Sequence, residues 1–138
     1  MSGILAGKTI LVTGIITDAS IAFATASQAQ EAGATVIITG IPERLRLIDR
    51  IAKRLPQEVP AAIPLDVTDE ESLAGLADRV RELAPQGIDG VVHSIAFAPR
   101  TLMGPDALPF LEGPGPDVAK AFEISAWSYA SLARAVLP

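Results

Sequence analysis

With 138 residues, 49% of them apolar, the chain has the size of one ordinary domain and enough apolar side chain for a packed core. A formal charge of −5 argues against nucleic acid as a partner, because phosphate-backbone binding rests on clustered Lys and Arg, and the lack of cysteine excludes a disulfide framework, a thiolate metal site and a cysteine nucleophile. No stretch reaches the roughly 18 consecutive apolar residues of a membrane span, and the start Met1-Ser2-Gly3-Ile4-Leu5-Ala6-Gly7-Lys8 lacks the basic region and apolar segment of a secretory signal, so a cytoplasmic protein with no membrane partner is expected, its redox chemistry borrowed from a cofactor.

Strand-like and helix-like segments alternate along the chain. Thr9 to Thr13 is a short apolar strand, followed by a glycine turn at Gly14 and a helix from Ser20 to Ala32, with Ser20 at the N-cap and Gly33 closing the C-terminus. Thr35 to Thr39 is the second strand, and Pro42 opens a helix running from about Glu43 to Leu55. On that helix Arg46, Arg50 and Arg54 recur every fourth residue beside apolar Leu47, Ile48 and Ile51; a solvated helix face is the expected reading, ahead of a docking patch for an acidic carrier. Ala61 to Leu65 is the third strand. Thr68 caps a third helix, Glu70 to Leu83, whose first turn is acidic. Gly90 to Ser94 is the fourth strand. Beyond Ala98, Pro99, Pro105, Pro109, Pro114 and Pro116 with Gly104, Gly113 and Gly115 form a loop that keeps Leu102, Met103, Leu108, Phe110 and Leu111, and so is expected to fold over something apolar before a last helix begins near Asp117.

Connections of a few residues between such elements build right-handed crossovers, and the strands are continuously apolar, as strands buried on both faces are. The expected fold is therefore α/β: a Rossmann-type doubly wound parallel sheet of four strands with flanking helices, residues 1–138 forming a single dinucleotide-binding domain whose further carboxyl-terminal strands lie outside this chain. A Gly-x-Gly-x-x-Gly fingerprint would carry three glycines. Here Gly14 alone remains, with Ser20 near the place of a later one.

Several blocks together are more specific than that turn. Gly14-Ile15-Ile16-Thr17-Asp18, Ser20-Ile21-Ala22-Phe23, Arg44-Leu45-Arg46-Leu47-Ile48, Leu65-Asp66-Val67 and Gly90-Val91-Val92-His93-Ser94-Ile95 resemble, in order and nearly in register, the enoyl-acyl-carrier-protein reductases of the short-chain dehydrogenase/reductase superfamily, their mycobacterial members above all. The resemblance implies fatty acid biosynthesis, an acyl-carrier-protein thioester substrate, NADH ahead of NADPH and a homotetramer at full length. It implies a cofactor site formed by Gly14, Ile15, Ile16, Ser20, Ile21, Gly40, Ile41, Asp66, Val67, Ser94, Ile95 and Ala96, with Phe97 and Met103 bordering the acyl chain and no metal. Asp66 and the following N–H would hold the adenine; the competing reading has Asp66 merely capping a turn.

Three further features bear on this reading. No acid stands at the tip of the second strand, where NAD binders usually carry one, and Ile41 replaces an aromatic residue that would stack on adenine; selectivity is then left to steric and polar limits around Gly40 and Ile41, with Arg44 read as a helix-surface residue. His93, the chain's one histidine, is read as a satisfied core residue. Lastly, the family's catalytic tyrosine is followed seven residues later by a lysine, yet no lysine follows Tyr129. The expectation is an amino-terminal piece of the enzyme that carries no catalytic residue. The alternatives are a dehydrogenase acting on a hydroxyl or ketone, and a non-catalytic nucleotide-binding or interaction module.

Overall fold

The computed structural model describes residues 3–137. Four parallel strands, β1 (Thr9–Val12), β2 (Thr35–Gly40), β3 (Ile63–Pro64) and β4 (Gly90–Val92), form one sheet in the order β3-β2-β1-β4. Strand alternation explains how two faces are covered at once. Val12, Val36 and Ile38 join the core beneath α1 (Ile21–Glu31) and α2 (Leu45–Ala52). Leu11, Ile37, Ile63 and Leu65 join a second core beneath α3 (Glu70–Leu83) and α5 (Ser128–Val136). From β1 the chain winds outward through β2 to β3, then returns to place β4 on the other side of β1. The sheet's topological switch therefore lies between β1 and β4, where open α/β sheets leave a crevice at the carboxyl ends.

Local chemistry sets the element ends. At the end of α1, Gly33 (φ +99°) donates to Gln30 C=O while Ala34 N–H returns to Ala29 C=O, the paired bonds of a left-handed glycine stop. The expected Thr68 cap is corrected: Asp69 is the N-cap of α3, its carboxylate accepting from Glu71 N–H, while the Thr68 hydroxyl donates backwards to Asp66. The helix expected from Glu43 to Leu55 splits into a 3-10 turn, Pro42–Arg44, and α2, which ends at Ala52. β3 is also shorter than expected, because Pro64 has no N–H to continue the ladder; Leu65 N–H adds one bond to Gly40 C=O. Buried Gln30 ties α1 to the segment before β3, exchanging amide bonds with the backbone and side chain of Gln57.

The last helix begins at Gly115, not Asp117, and contains a wide turn. α4 (Gly115–Phe122) passes through a π-turn, Glu123–Trp127, into α5. That turn faces the chain just after β4. Ser125 hydroxyl donates to Phe97 C=O and accepts from Phe97 N–H, while Ser128 is hydrogen-bonded to His93 at 2.7 Å. The loop from Pro99 to Gly113 departs from expectation. Leu102 is half-buried beside Gly113, but Met103, Leu108, Phe110 and Leu111 face solvent rather than covering an apolar surface. Among the described residues no helix is long and apolar enough to cross a membrane.

Candidate functional site

A crevice of about 420 Å³ opens along the carboxyl ends of the strands, walled by Gly14 to Ile16, Thr39 to Glu43, Leu65 to Thr68, Ser94 to Phe97, Lys120 and Ile124. The other sizeable depressions lie on the outer surfaces of α1 and α2, away from the switch point. Gly14, Ile16, Gly40, Ile41, Asp66, Val67, Ser94, Ile95, Ala96 and Phe97, expected from the sequence, converge here.

The seam between β1 and β4 is built by Thr13 and Gly14. Buried Thr13 donates its hydroxyl proton to Val92 C=O at 2.8 Å and accepts from Ser94 N–H at 3.2 Å, so one side chain extends the ladder past the last strand bonds. Gly14 then turns with φ +89°, and a Cβ placed on it would lie 1.8 Å from the Ser94 carbonyl oxygen. Glycine is required here by the approach of two backbones as well as by the turn. Ile15, although at the crevice wall, is fully buried in the core under α1, so its side chain offers no ligand surface.

Ser20 is the N-cap residue of α1, but its hydroxyl does not cap the helix. It accepts instead from Ile16 N–H (3.1 Å) and Thr17 N–H (2.9 Å), bracing the loop that lacks the other glycines of a dinucleotide fingerprint. Consequently no side chain caps the first turn of α1, and among the described residues no bond engages the N–H groups of Ile21, Ala22 and Phe23. Those donors, with the positive end of the helix dipole, suit an anion. Ser20 and Ile21 do not themselves wall the crevice; Ile21 is 80% exposed.

Asp66 makes the bonds of a turn with one of its two carboxylate oxygens. One carboxylate oxygen accepts from both the Thr68 hydroxyl (2.7 Å) and Thr68 N–H (2.9 Å), and the Asp66 N–H donates to Ser72. Its other oxygen has no partner among the described residues. The Thr68 hydroxyl bond, then the Thr68 N–H, then the charge of Lys120 hold the Asp66 carboxyl below the usual carboxylate range against a desolvation penalty. A depressed carboxyl stabilises the fold above the unfolded value, about 3.9, and that contribution disappears as pH falls through the lower native value. Thr68→Val should therefore raise the Asp66 titration midpoint measured by carboxyl NMR; an unmoved midpoint would show that the hydroxyl bond is not the cause.

His93 is hydrogen-bonded, as expected, but it is half-buried and belongs to neither core, which corrects the expected core position. It is bonded to Ser128 and packed edge-on against Tyr129 with ring centroids 5.6 Å apart. Met103, expected beside Phe97, is 69% exposed and outside the crevice. Sequence reasoning missed Lys120, whose ammonium lies 5.7 Å from the Phe97 ring centroid, and Ile124 at the π-turn. Lys120 is exposed and Ile124 half-buried, and their segment is tied to the crevice by the Ser125–Phe97 bonds 28 residues apart, so no local signal marked them.

A parallel sheet wound in both directions from β1, with a ligand-sized crevice at its switch point, defines a Rossmann-type α/β unit. The model of one family, described as enoyl-(acyl carrier protein) reductase, matches residues 14–138. The chain belongs to that family. It is 56% identical over its whole length to an enoyl-acyl-carrier-protein reductase (NADH) of Mycolicibacterium smegmatis, 51% of which it covers. It is 54% identical, again over its whole length, to the protein of that name from Mycobacterium avium, covering 50% of it. A reductase of Haemophilus influenzae with the same activity in its name is 32% identical over 99% of this chain and half of its own. The chain thus spans about half the length of the curated relatives it matches.

Proposed function

We propose that residues 1–138 are the cofactor-binding part of an NADH-dependent enoyl-acyl-carrier-protein reductase acting in fatty acid biosynthesis, a cytoplasmic homotetramer at full length. The observation that carries the reading is the convergence of Gly14, Gly40–Ile41, Asp66–Val67 and Ser94–Ala96 on one crevice at the switch point of a family member. The donor set fits a dinucleotide. Unpaired N–H groups at the start of α1 suit the pyrophosphate, the free oxygen of Asp66 suits the adenine amino group, and Ile41, Val67, Ile95 and Ile124 supply apolar walls for the rings.

Bound in this crevice, NADH would supply the hydride for reduction of a trans-2-enoyl thioester to its saturated form. The residues of this chain do the holding. Thr13 and Ser125 fix the backbone from Ser94 to Phe97, Ser20 braces the loop below the pyrophosphate, and Phe97 borders the acyl end of the crevice.

The test uses the full-length protein: it should oxidise NADH only when a trans-2-enoyl thioester is supplied. Asp66→Ala should weaken NADH binding by about 1 to 3 kcal/mol, as the loss of a hydrogen bond from the adenine amino group to a charged acceptor costs. Oxidation driven by a ketone instead would replace this reading with a dehydrogenase. An Asp66→Ala effect confined to melting temperature would reduce Asp66 to its turn.

A further inference from the structure

The sequence carries no acid at the tip of β2, yet the structure supplies one from outside the strand. β2 runs through Gly40, and the chain then closes a 3-10 turn, Pro42–Arg44, in which Arg44 N–H donates to Ile41 C=O at 2.9 Å and the proline ring fixes the backbone at the first position. That turn makes Glu43 part of the same crevice wall as Gly40, Ile41 and Asp66. Its neighbour Arg44 is not part of that wall; Pro42 and Glu43 stand on the border between the crevice and a shallow groove on the outside of α2, which Arg44, Arg46, Leu47 and Arg50 line. Among the described residues no hydrogen bond or ion pair engages the Glu43 carboxylate, and the one cation lining the crevice, Lys120, stands beside Phe97 on the β4 side.

We propose that Glu43 is the specificity-determining residue of the adenosine end, selecting NADH over NADPH. This rests on the NADH reading above. An unpaired carboxylate beside Gly40 accepts a hydrogen bond from a ribose hydroxyl and repels a 2′-phosphate, which carries close to two negative charges near neutral pH. Selectivity is then electrostatic, where the sequence left it to steric and polar limits around Gly40 and Ile41. Arg44, the residue that would welcome the phosphate, lines the outer groove and not the crevice, whereas Glu43 borders both.

The experiment measures dissociation constants of NADH and NADPH for the full-length protein, its Glu43→Gln variant and its Arg44→Gln variant, at low and high salt. The wild type should prefer NADH, and the preference should shrink as salt screens the repulsion. Glu43→Gln should lower the NADPH-to-NADH ratio of dissociation constants about tenfold or more, equivalent to about 1.4 kcal/mol. Arg44→Gln should leave that ratio within about twofold, below 0.5 kcal/mol. An unchanged ratio in Glu43→Gln, with wild-type NADH binding intact, overturns the role of Glu43 and leaves the cofactor reading standing. Tighter NADPH binding lost in Arg44→Gln assigns the selection to Arg44 and overturns the proposal. Failure of the wild type to bind either nucleotide overturns the cofactor reading itself.

Discussion

Gly14→Ala should unfold or nearly unfold the protein, a larger effect than any loss of ligand contact. Two costs combine. A residue with a Cβ resists the left-handed conformation by about 1 to 2 kcal/mol, and at φ +89° Gly14 lies beyond the most tolerated part of that region. The added carbon would also sit 1.8 Å from the Ser94 carbonyl oxygen and 2.6 Å from its carbon, and neither is the free end of a side chain that could swing aside. Relief requires β1 and β4 to part at the seam where Thr13 bonds to Val92 and Ser94. The total should exceed about 4 kcal/mol, a large share of the 5 to 15 kcal/mol that holds a typical domain. Urea unfolding of the full-length variant should show a collapsed midpoint, and an unchanged midpoint would mean that the seam yields easily. Loss of NADH affinity in a Gly14 variant therefore reports on the fold, which makes Asp66 and Glu43 the cleaner probes of the site.

The second large effect concerns the 138-residue polypeptide prepared by itself: it should self-associate and should not reduce enoyl thioesters. β4 bonds to β1 on one side, and among the described residues no strand pairs with its other edge. Open strand edges recruit other chains. Beside it, Phe97, Val118, Phe122 and Trp127 stand between 44% and 63% exposed, a concentration of apolar side chain that water disfavours. Catalysis fails for a separate reason. The catalytic tyrosine and lysine that the resemblance implies are not both present in this polypeptide: its one tyrosine, Tyr129, is followed by no lysine. Sedimentation velocity should show a concentration-dependent distribution of sizes. A sharp monomer with cooperative melting, or turnover above background, would make these residues a self-sufficient unit.

The strand and helix succession was legible because it rests on periodicity and on end signals that act locally, as at Gly33. What escaped depends on distant partners. The π-turn at Glu123–Trp127 contains no glycine or proline; it is matched to Ser125 and Ser128 bonding the chain after β4, contacts 28 and 35 residues away. Ser20 was readable as a cap residue, but its oxygen is drawn to Ile16 and Thr17, because that loop lacks the glycines that would let it turn unaided. Glu43 was missed because the strand tip was placed at Thr39, and the 3-10 turn that carries the acid to the crevice depends on Pro42. In the loop from Pro99 to Gly113, composition suggested an inward apolar face, whereas the bonds from Thr101 to Asp117 and from Leu108 N–H to Thr101 C=O close the loop on itself and leave Phe110 and Leu111 outside.

The central claim is that NADH lies along the carboxyl edge of this sheet, and hydrogen exchange of the full-length protein with and without NADH tests it most directly. The account predicts slowed exchange in the segments around Gly14 to Phe23, Gly40 to Arg44, Leu65 to Thr68 and Ser94 to Phe97, with the outer groove from Asp49 to Ala61 unchanged. Protection confined to that groove, or absent from all four crevice segments at saturating NADH, would contradict it.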